Sequence, residues 1–319
     1  MLPLRASLLA LALLAAALAP AVAQDAAAMP AAAAAAPAPE GMAAAAPAAE
    51  NALVSQYRLS PAQVAVLEQA GLTDPDAIMA DLQQAGVTPR SEVPMGPKDP
   101  TLYDYVMFAF IKTGDADAAR RMLTSADAPA NANVQDAATG ETPIFSAVEQ
   151  TEQTPELLAL LLQNGADTNV RRNDGATPLL LAIAGEFNQT VGTLLGTKEK
   201  PLADPNLASA EGLTPLLAAV VSDQPAIVQQ LLTFGAGPNS EGGGGELPLV
   251  EAVQAQPADL TIVEALLDAG ANPNLADGTG TTAVQAAEQA GNPDIIQLLS
   301  GYGAAAPAAE AAGAPASEA

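Results

Sequence analysis

Apolar residues in the second half of the chain come in short paired bursts, not in long runs. In Gly212 to Asn239, GLTPLLAAVVSDQPAIVQQLLTFGAGPN, one apolar segment is entered through Thr214-Pro215 and a second is left through Gly235-Ala236-Gly237-Pro238-Asn239. The second segments of successive stretches carry Leu157, Leu158, Leu161 and Leu162; Val191, Leu194 and Leu195; Ile227, Val228, Leu231 and Leu232; Ile262, Val263, Leu266 and Leu267; and Ile295, Ile296, Leu298 and Leu299. In the full sets, positions i, i+1 and i+3 or i+4 fall on one wide apolar face of a short helix. Each predicted helix then stops, usually at a glycine (Gly165, Gly235, Gly270, Gly303), where a left-handed residue ends a helix without steric cost.

The bursts are periodic. Thr-Pro or its equivalent recurs at Thr142-Pro143, Thr177-Pro178, Thr214-Pro215, Leu247-Pro248 and Thr282-Ala283, at spacings of 35, 37, 33 and 35 residues. A period of this size marks a stacked repeat array. An alanine follows each Thr position by five residues (Ala147, Ala182, Ala219, Ala252, Ala287), and so small a side chain lets two helices of a hairpin approach closely. An asparagine (Asn169, Asn206, Asn239, Asn274) precedes the next Thr position by eight. One unit's aliphatic side chains cannot offset the entropy of ordering the whole unit, so each is stable only against its neighbours.

The N-terminal part follows other rules. Met1 to Ala23, MLPLRASLLALALLAAALAPAVA, has Arg5, an apolar run from Ala6 to Leu18, Pro20 and a small-residue site, the pattern of a secretory signal peptide cut after Ala23. The run is shorter than the roughly twenty residues that span a bilayer. Residues 24–50 are nearly all Ala and Pro and read as a linker, as does the tail 304–319. Within 51–90, Ser60-Pro61 opens a predicted helix ending at Gly71, and Asp74-Pro75 opens a second ending at Gly86. This small helical hairpin reads either as a packing extension or as a separate binding module, and so small a unit buries little core of its own. A further linker, 91–100, leads into the array.

The repeating residues resemble the ankyrin repeat. Its pattern of D-x-x-G-x-T-P-L, a central Ala, an apolar second helix and G-A-D-x-N is matched by DAATGETPI, RNDGATPLL, ASAEGLTPL and DGTGTTAV, with GADTN, GAGPN and GANPN between them. The resemblance covers 101–303. It implies an all-α solenoid of two antiparallel helices per unit with a projecting β-turn finger. A further unit from Tyr103 to Asn133, with Gly114, Ala118, Ala119, Met122 and Leu123 at matching places, brings the count to six. The family's His after Thr-Pro-Leu is replaced by Phe145, Leu180, Leu217, Val250 and Gln285, which implies more apolar links between units. The finger Glu241 to Glu246, EGGGGE, is expected to be mobile, because each glycine leaves the backbone unconstrained.

Composition narrows the chemistry. The 319 residues include no Cys and no His, which removes disulfides, thiolate zinc sites and the commonest acid–base and nucleophilic partners. Asp115 with Asp117, and Glu149, Glu152 and Glu156, are acidic groups without an EF-hand loop around them, and the glycine-rich fingers lack a Gly-Lys-Ser/Thr ending. No cofactor or metal is expected, and the chain reads as non-enzymatic. The net charge is -25, and beyond Lys200 there are fourteen Asp and Glu with no Lys or Arg. Nucleic acid and anionic lipid are poor partners for such a surface.

These readings point to a monomeric scaffold or adaptor of the bacterial periplasm that binds another protein, with a basic surface, along the concave face and fingers that the family uses for partners. Candidate contacts are Arg171, Arg172 and Asn173 on one finger, and the acidic finger residues Glu211, Glu241, Glu246 and Asp277. Tyr103 and Tyr105 join them because aromatics anchor interfaces, although they equally fill helix pairs. A secreted effector acting on host proteins and a structural component of the cell envelope are the alternatives.

Overall fold

The structure, a computed structural model, describes residues 57, 59–89, 100–126, 129–197 and 202–304. The signal peptide, the Ala/Pro linker, residues 91–99 of the second linker and the tail from 305 lie outside them. Among the described residues there are fourteen helices and no strand, and an isolated bridge pairs Ala276 with Thr282 within a finger. They fall in two compact units that divide between Pro178 and Leu179.

The first unit opens with α1 (Pro61–Gln69) and α2 (Pro75–Gln84). Ser60 and Gln63 form a capping box, and Asp74 caps α2, so both helices begin on satisfied donors. Two repeats follow: α3 (Leu102–Lys112) with α4 (Ala116–Leu123), and α5 (Pro143–Glu149) with α6 (Pro155–Gln163). First helices pack on first helices and second on second, α3 against α5 and α4 against α6, while α2 packs on α3. Helix α3 is covered by α2, α4 and α5, and nine of its eleven residues are buried. Its start is fixed by the buried Asp104 carboxylate, which accepts from the Thr101 N–H (2.6 Å), the Thr101 hydroxyl (2.9 Å) and the Asn131 N–H (2.6 Å).

Helix α7 (Pro178–Ala184) begins at the division and pairs in sequence with α8 (Asn188–Leu195). The remaining pairs are α9 (Pro215–Val221) with α10 (Pro225–Thr233), α11 (Pro248–Gln254) with α12 (Leu260–Asp268), and α13 (Ala283–Ala290) with α14 (Pro293–Gly301). The same two layers recur, α9, α11 and α13 in one and α8, α10, α12 and α14 in the other. Most first helices have only seven residues, far below the length that is stable alone, so packing holds them. The alanines five residues past each Thr position are all buried, which permits the close approach.

The fixed asparagines have a structural reason. Asn206 donates from Nδ2 to Gly235 O (3.1 Å) and accepts from the Gly237 N–H (2.8 Å), and Asn239 does the same with Gly270 O (3.0 Å) and the Asn272 N–H (2.7 Å). Each side-chain amide thus spans to the helix-ending turn of the next repeat. Asn133 belongs to the same set, bonded to Gly165 O (2.9 Å) and the Asp167 N–H (2.7 Å). It stands nine residues before Thr142, not eight, because the finger after it is one residue longer: Asp136 N–H closes onto Glu141 O, whereas Arg172 N–H closes onto Ala176 O.

Candidate partner-binding surface

The fingers and first helices form the side on which the sequence placed its candidate contacts. Each finger is a tight turn closed by one backbone bond: Asp136 to Glu141, Arg172 to Ala176, Ser209 to Leu213, Gly242 to Glu246 and Asp277 to Thr281. Short polar side chains complete the turns. Asp277 Oδ1 accepts from the Thr279 and Thr281 N–H groups, both at 2.9 Å, and from the Thr279 hydroxyl at 2.7 Å. Burial alone would raise its pKa, but these bonds outweigh it and hold the carboxyl below its ordinary range.

In the second unit the fingers touch through glycine. A Cβ on Gly243 would lie 1.9 Å from Glu211 O, and one on Gly212 would lie 2.6 Å from the Gly243 Cα. A Cβ on Gly278 would meet Gly244 O at 2.4 Å, and the Gly278 N–H donates to Gly245 O at 2.8 Å. The EGGGGE finger is therefore a packed turn and not the mobile loop expected from its composition. Its glycines serve close backbone approach, which any side chain would prevent.

The first unit carries a charged strip whose members satisfy one another. Lys112 Nζ lies 3.2 Å from Glu141 Oε2, donates to Gly86 O at 2.9 Å and sits 5.7 Å from the centre of the Phe108 ring. Arg172 grips Asp174 with two bonds (2.7 and 3.3 Å), stands 4.0 Å from Glu149 Oε1 and lies 5.4 Å from the centre of the Phe145 ring. Burial and the nearby Glu141 raise the pKa of Glu149, while Arg172 and Lys112 pull it back. Phe145 stands where the resemblance places a histidine, and it offers a ring face to a guanidinium in place of an imidazole hydrogen bond. Leu180, Leu217 and Val250 at the same position are buried, whereas Gln285 is exposed and forms a capping box with Thr282.

The second unit's strip has the opposite character. Glu246 immediately precedes Leu247-Pro248 as Glu141 precedes Thr142-Pro143. No described residue of this unit is Lys or Arg. Glu246 Oε2 accepts from the Gly244 N–H at 2.9 Å. Glu251, one turn further on in α11, has its pKa raised by burial, then by the charges of Glu246 and Asp277. Three carboxylates thus share one region with no cation among the described residues beside them. Glu211 is exposed on the preceding finger, and Glu241 is exposed at the start of the Glu246 finger.

Several sequence-based candidates change role. Tyr103 and Tyr105 are 0 % and 1 % exposed, because α3 is enclosed on three sides; they are core residues and offer no surface to a partner. Burial and the neighbouring Asp104 push the Tyr103 phenol up to about 12, and its hydroxyl has no hydrogen-bond partner among the described residues. The Arg172 side chain is only 13 % exposed and is committed to Asp174, Glu149 and Phe145. Asn173 is exposed but ties its finger to the preceding one through Thr139 O and Ala138 O, and Arg171 is exposed beside it. Asp115 caps α4 through the Ala118 N–H at 2.9 Å. The sequence candidates did not include Lys112, Glu141 or Glu251; a glutamate directly before the Thr-Pro position, shared by Glu141 and Glu246, was the available signal for Glu141. Among the described residues, no group of three or more carboxylates is arranged to hold a metal ion, and no helix is long and apolar enough to cross a membrane.

Paired short helices and fingers closed by backbone turns define a helical repeat protein. A family model described as ankyrin repeats, in three copies, matches residues 106–201, 150–242 and 179–277, more than half of the chain, and the protein belongs to that family. A human protein, 2-5A-dependent ribonuclease, is 34 % identical over 83 residues, 26 % of this chain and 10 % of that protein, so the chain spans about a tenth of that relative's length. The ankyrin fold indicates a protein–protein interaction scaffold, and it is typically non-catalytic.

Proposed function

We propose that the protein is a non-enzymatic adaptor of the bacterial periplasm that acts as a monomer and binds a protein with a basic surface through the fingers and first helices of residues 202–290. The observation that carries this reading is the group Glu246, Glu251 and Asp277, gathered without a cation in the unit whose described residues contain no basic side chain. A carboxylate cluster of this kind lowers no barrier to folding, since its members repel one another. It does favour encounter with a positive surface, and it rejects anionic ones. The signal-peptide pattern at Met1 to Ala23 supports the compartment.

The test is a pull-down from periplasmic extract with the mature chain from Gln24 as bait, at low and high salt, with mass-spectrometric identification. The expected result is a basic protein that salt releases and that a Glu246→Gln/Glu251→Gln/Asp277→Gln bait no longer retains. Retention indifferent to both salt and the triple substitution overturns the acidic-face reading. Capture only from a host extract or culture medium transfers the function to a secreted effector.

A further inference from the structure

The same backbone bond joins two pairs of successive fingers, one pair in each unit. The residue following the one that closes its own turn donates its N–H to the finger before it: Asn173, after Arg172, to Thr139 O at 3.0 Å, and Gly278, after Asp277, to Gly245 O at 2.8 Å. Both acceptors lie three places past the closing residue of their own finger, Asp136 and Gly242. In the second repeat the corresponding donor is Ala137, and its N–H goes at 3.0 Å to Thr88 O, in the exit turn of the α1–α2 hairpin. Thr88 therefore occupies the place that a preceding finger's backbone would take.

The surrounding groups are arranged around this contact. The Thr88 N–H donates back to Asp136 Oδ2, so the exit turn and the finger are held by two bonds of opposite sense. Asp136 Oδ1 serves its own finger, accepting from the Ala138 N–H (3.0 Å) and the Thr139 N–H (2.7 Å), while Oδ2 is given to the hairpin. Asp277 at the equivalent place accepts from Thr279, Gly280 and Thr281, all of its own finger. Asp136 is also 1 % exposed, a degree of burial that a carboxylate sustains only when its oxygens are occupied. Lys112 Nζ fixes the hairpin a second time through Gly86 O, two residues before Thr88.

We infer that the hairpin Leu59 to Thr88 is the N-terminal seal of the repeat array, in which the Thr88 backbone takes the contact that a preceding finger makes elsewhere and Asp136 and Lys112 hold it in register. A stacked array exposes an unmatched edge at its first unit, and such edges need a dedicated cap. Here the cap is not a modified repeat but a two-helix element from outside the period. The inference stands apart from the identity of the partner and concerns the first unit, not the acidic surface of the second.

Amide hydrogen exchange measured by NMR on the full chain tests it. In the wild type, Ala137 is expected to be protected like Asn173 and Gly278. Thr88→Pro deletes the N–H that Asp136 accepts and should speed exchange at Ala137 by about tenfold or more, with Asn173 and Gly278 changed by no more than about twofold. Thr88→Ala keeps the backbone and should leave all three unchanged. An unprotected Ala137 in the wild type, an unchanged Ala137 in Thr88→Pro, or a Thr88→Ala chain that exchanges as fast as Thr88→Pro would each overturn the seal.

Discussion

The two units use the same repeat position for opposite ends. Before the second repeat's first helix, Glu141 meets Lys112 at 3.2 Å, and the cations Lys112 and Arg172 each lie over a phenylalanine. Before the fifth repeat's first helix, Glu246 accepts from a backbone N–H and acts on the Glu251 carboxylate, and no described residue of its unit is Lys or Arg. In the first unit charge is consumed in holding the stack; in the second it is left over. A surface charge left unpaired at a position where the same chain elsewhere pairs it is a stronger pointer to recognition than net charge alone.

Substitutions can break this contrast. The largest effect is expected for Phe145→Ala, which empties a buried ring site and removes the support of Arg172; about 3 to 5 kcal/mol of unfolding free energy should be lost, measured by urea denaturation. Leu217→Ala at the same repeat position in the second unit, where no cation stacks, should cost less. Lys112→Met leaves Glu141 buried without its cation and should cost about 3 kcal/mol, whereas Glu246→Gln should cost almost nothing. If the two prove equal, the assignment of Glu246 to recognition fails. Gly243→Ala drives a methyl group into the Glu211 carbonyl and should cost about 1 to 3 kcal/mol, against a smaller cost for Gly280→Ala, whose new Cβ meets open space but whose φ of +85° is strained for alanine.

The smallest effect is on pH dependence. The folded-state pKa of Glu251 is raised, so the folded unit holds more protons than the unfolded one between the ordinary carboxylate pKa and the raised value. Its contribution therefore stabilises as pH falls through that interval and is lost as pH rises through it. Asp136, whose hydrogen bonds outweigh burial and lower its pKa, runs the other way: its stabilisation is present above the ordinary Asp pKa and disappears as pH falls through the lowered one. Glu251→Gln should flatten the first component in thermal melts taken above the ordinary Glu pKa and leave the second, read in melts below the ordinary Asp pKa, untouched.

The repeat frame was legible because its marks are local. Proline at the first helical position, an alanine one turn later and a left-handed glycine at the end each act within a few residues, so the chain states them directly. The site was legible only as charge. That Arg172 would be enclosed and Glu246 brought near Glu251 depends on which side chain the stacking brings alongside, and Lys112 and Glu141 are 29 residues apart in sequence. The tyrosines of α3 misled because an end repeat ordinarily keeps one side open, whereas here α2 covers it. The EGGGGE finger misled for a related reason: glycine grants freedom to an isolated backbone and permits contact in a stacked one, and only the neighbour decides which.

The glycine contacts between fingers also divide the array's future. Gly212, Gly243 and Gly278 cannot acquire a side chain without separating backbones that touch, so inheritance at these places is frozen. Glu241 stands among them with an exposed side chain. A lineage can therefore vary the exposed finger side chains, residue by residue, while the spacing that keeps the fingers in line passes on unchanged.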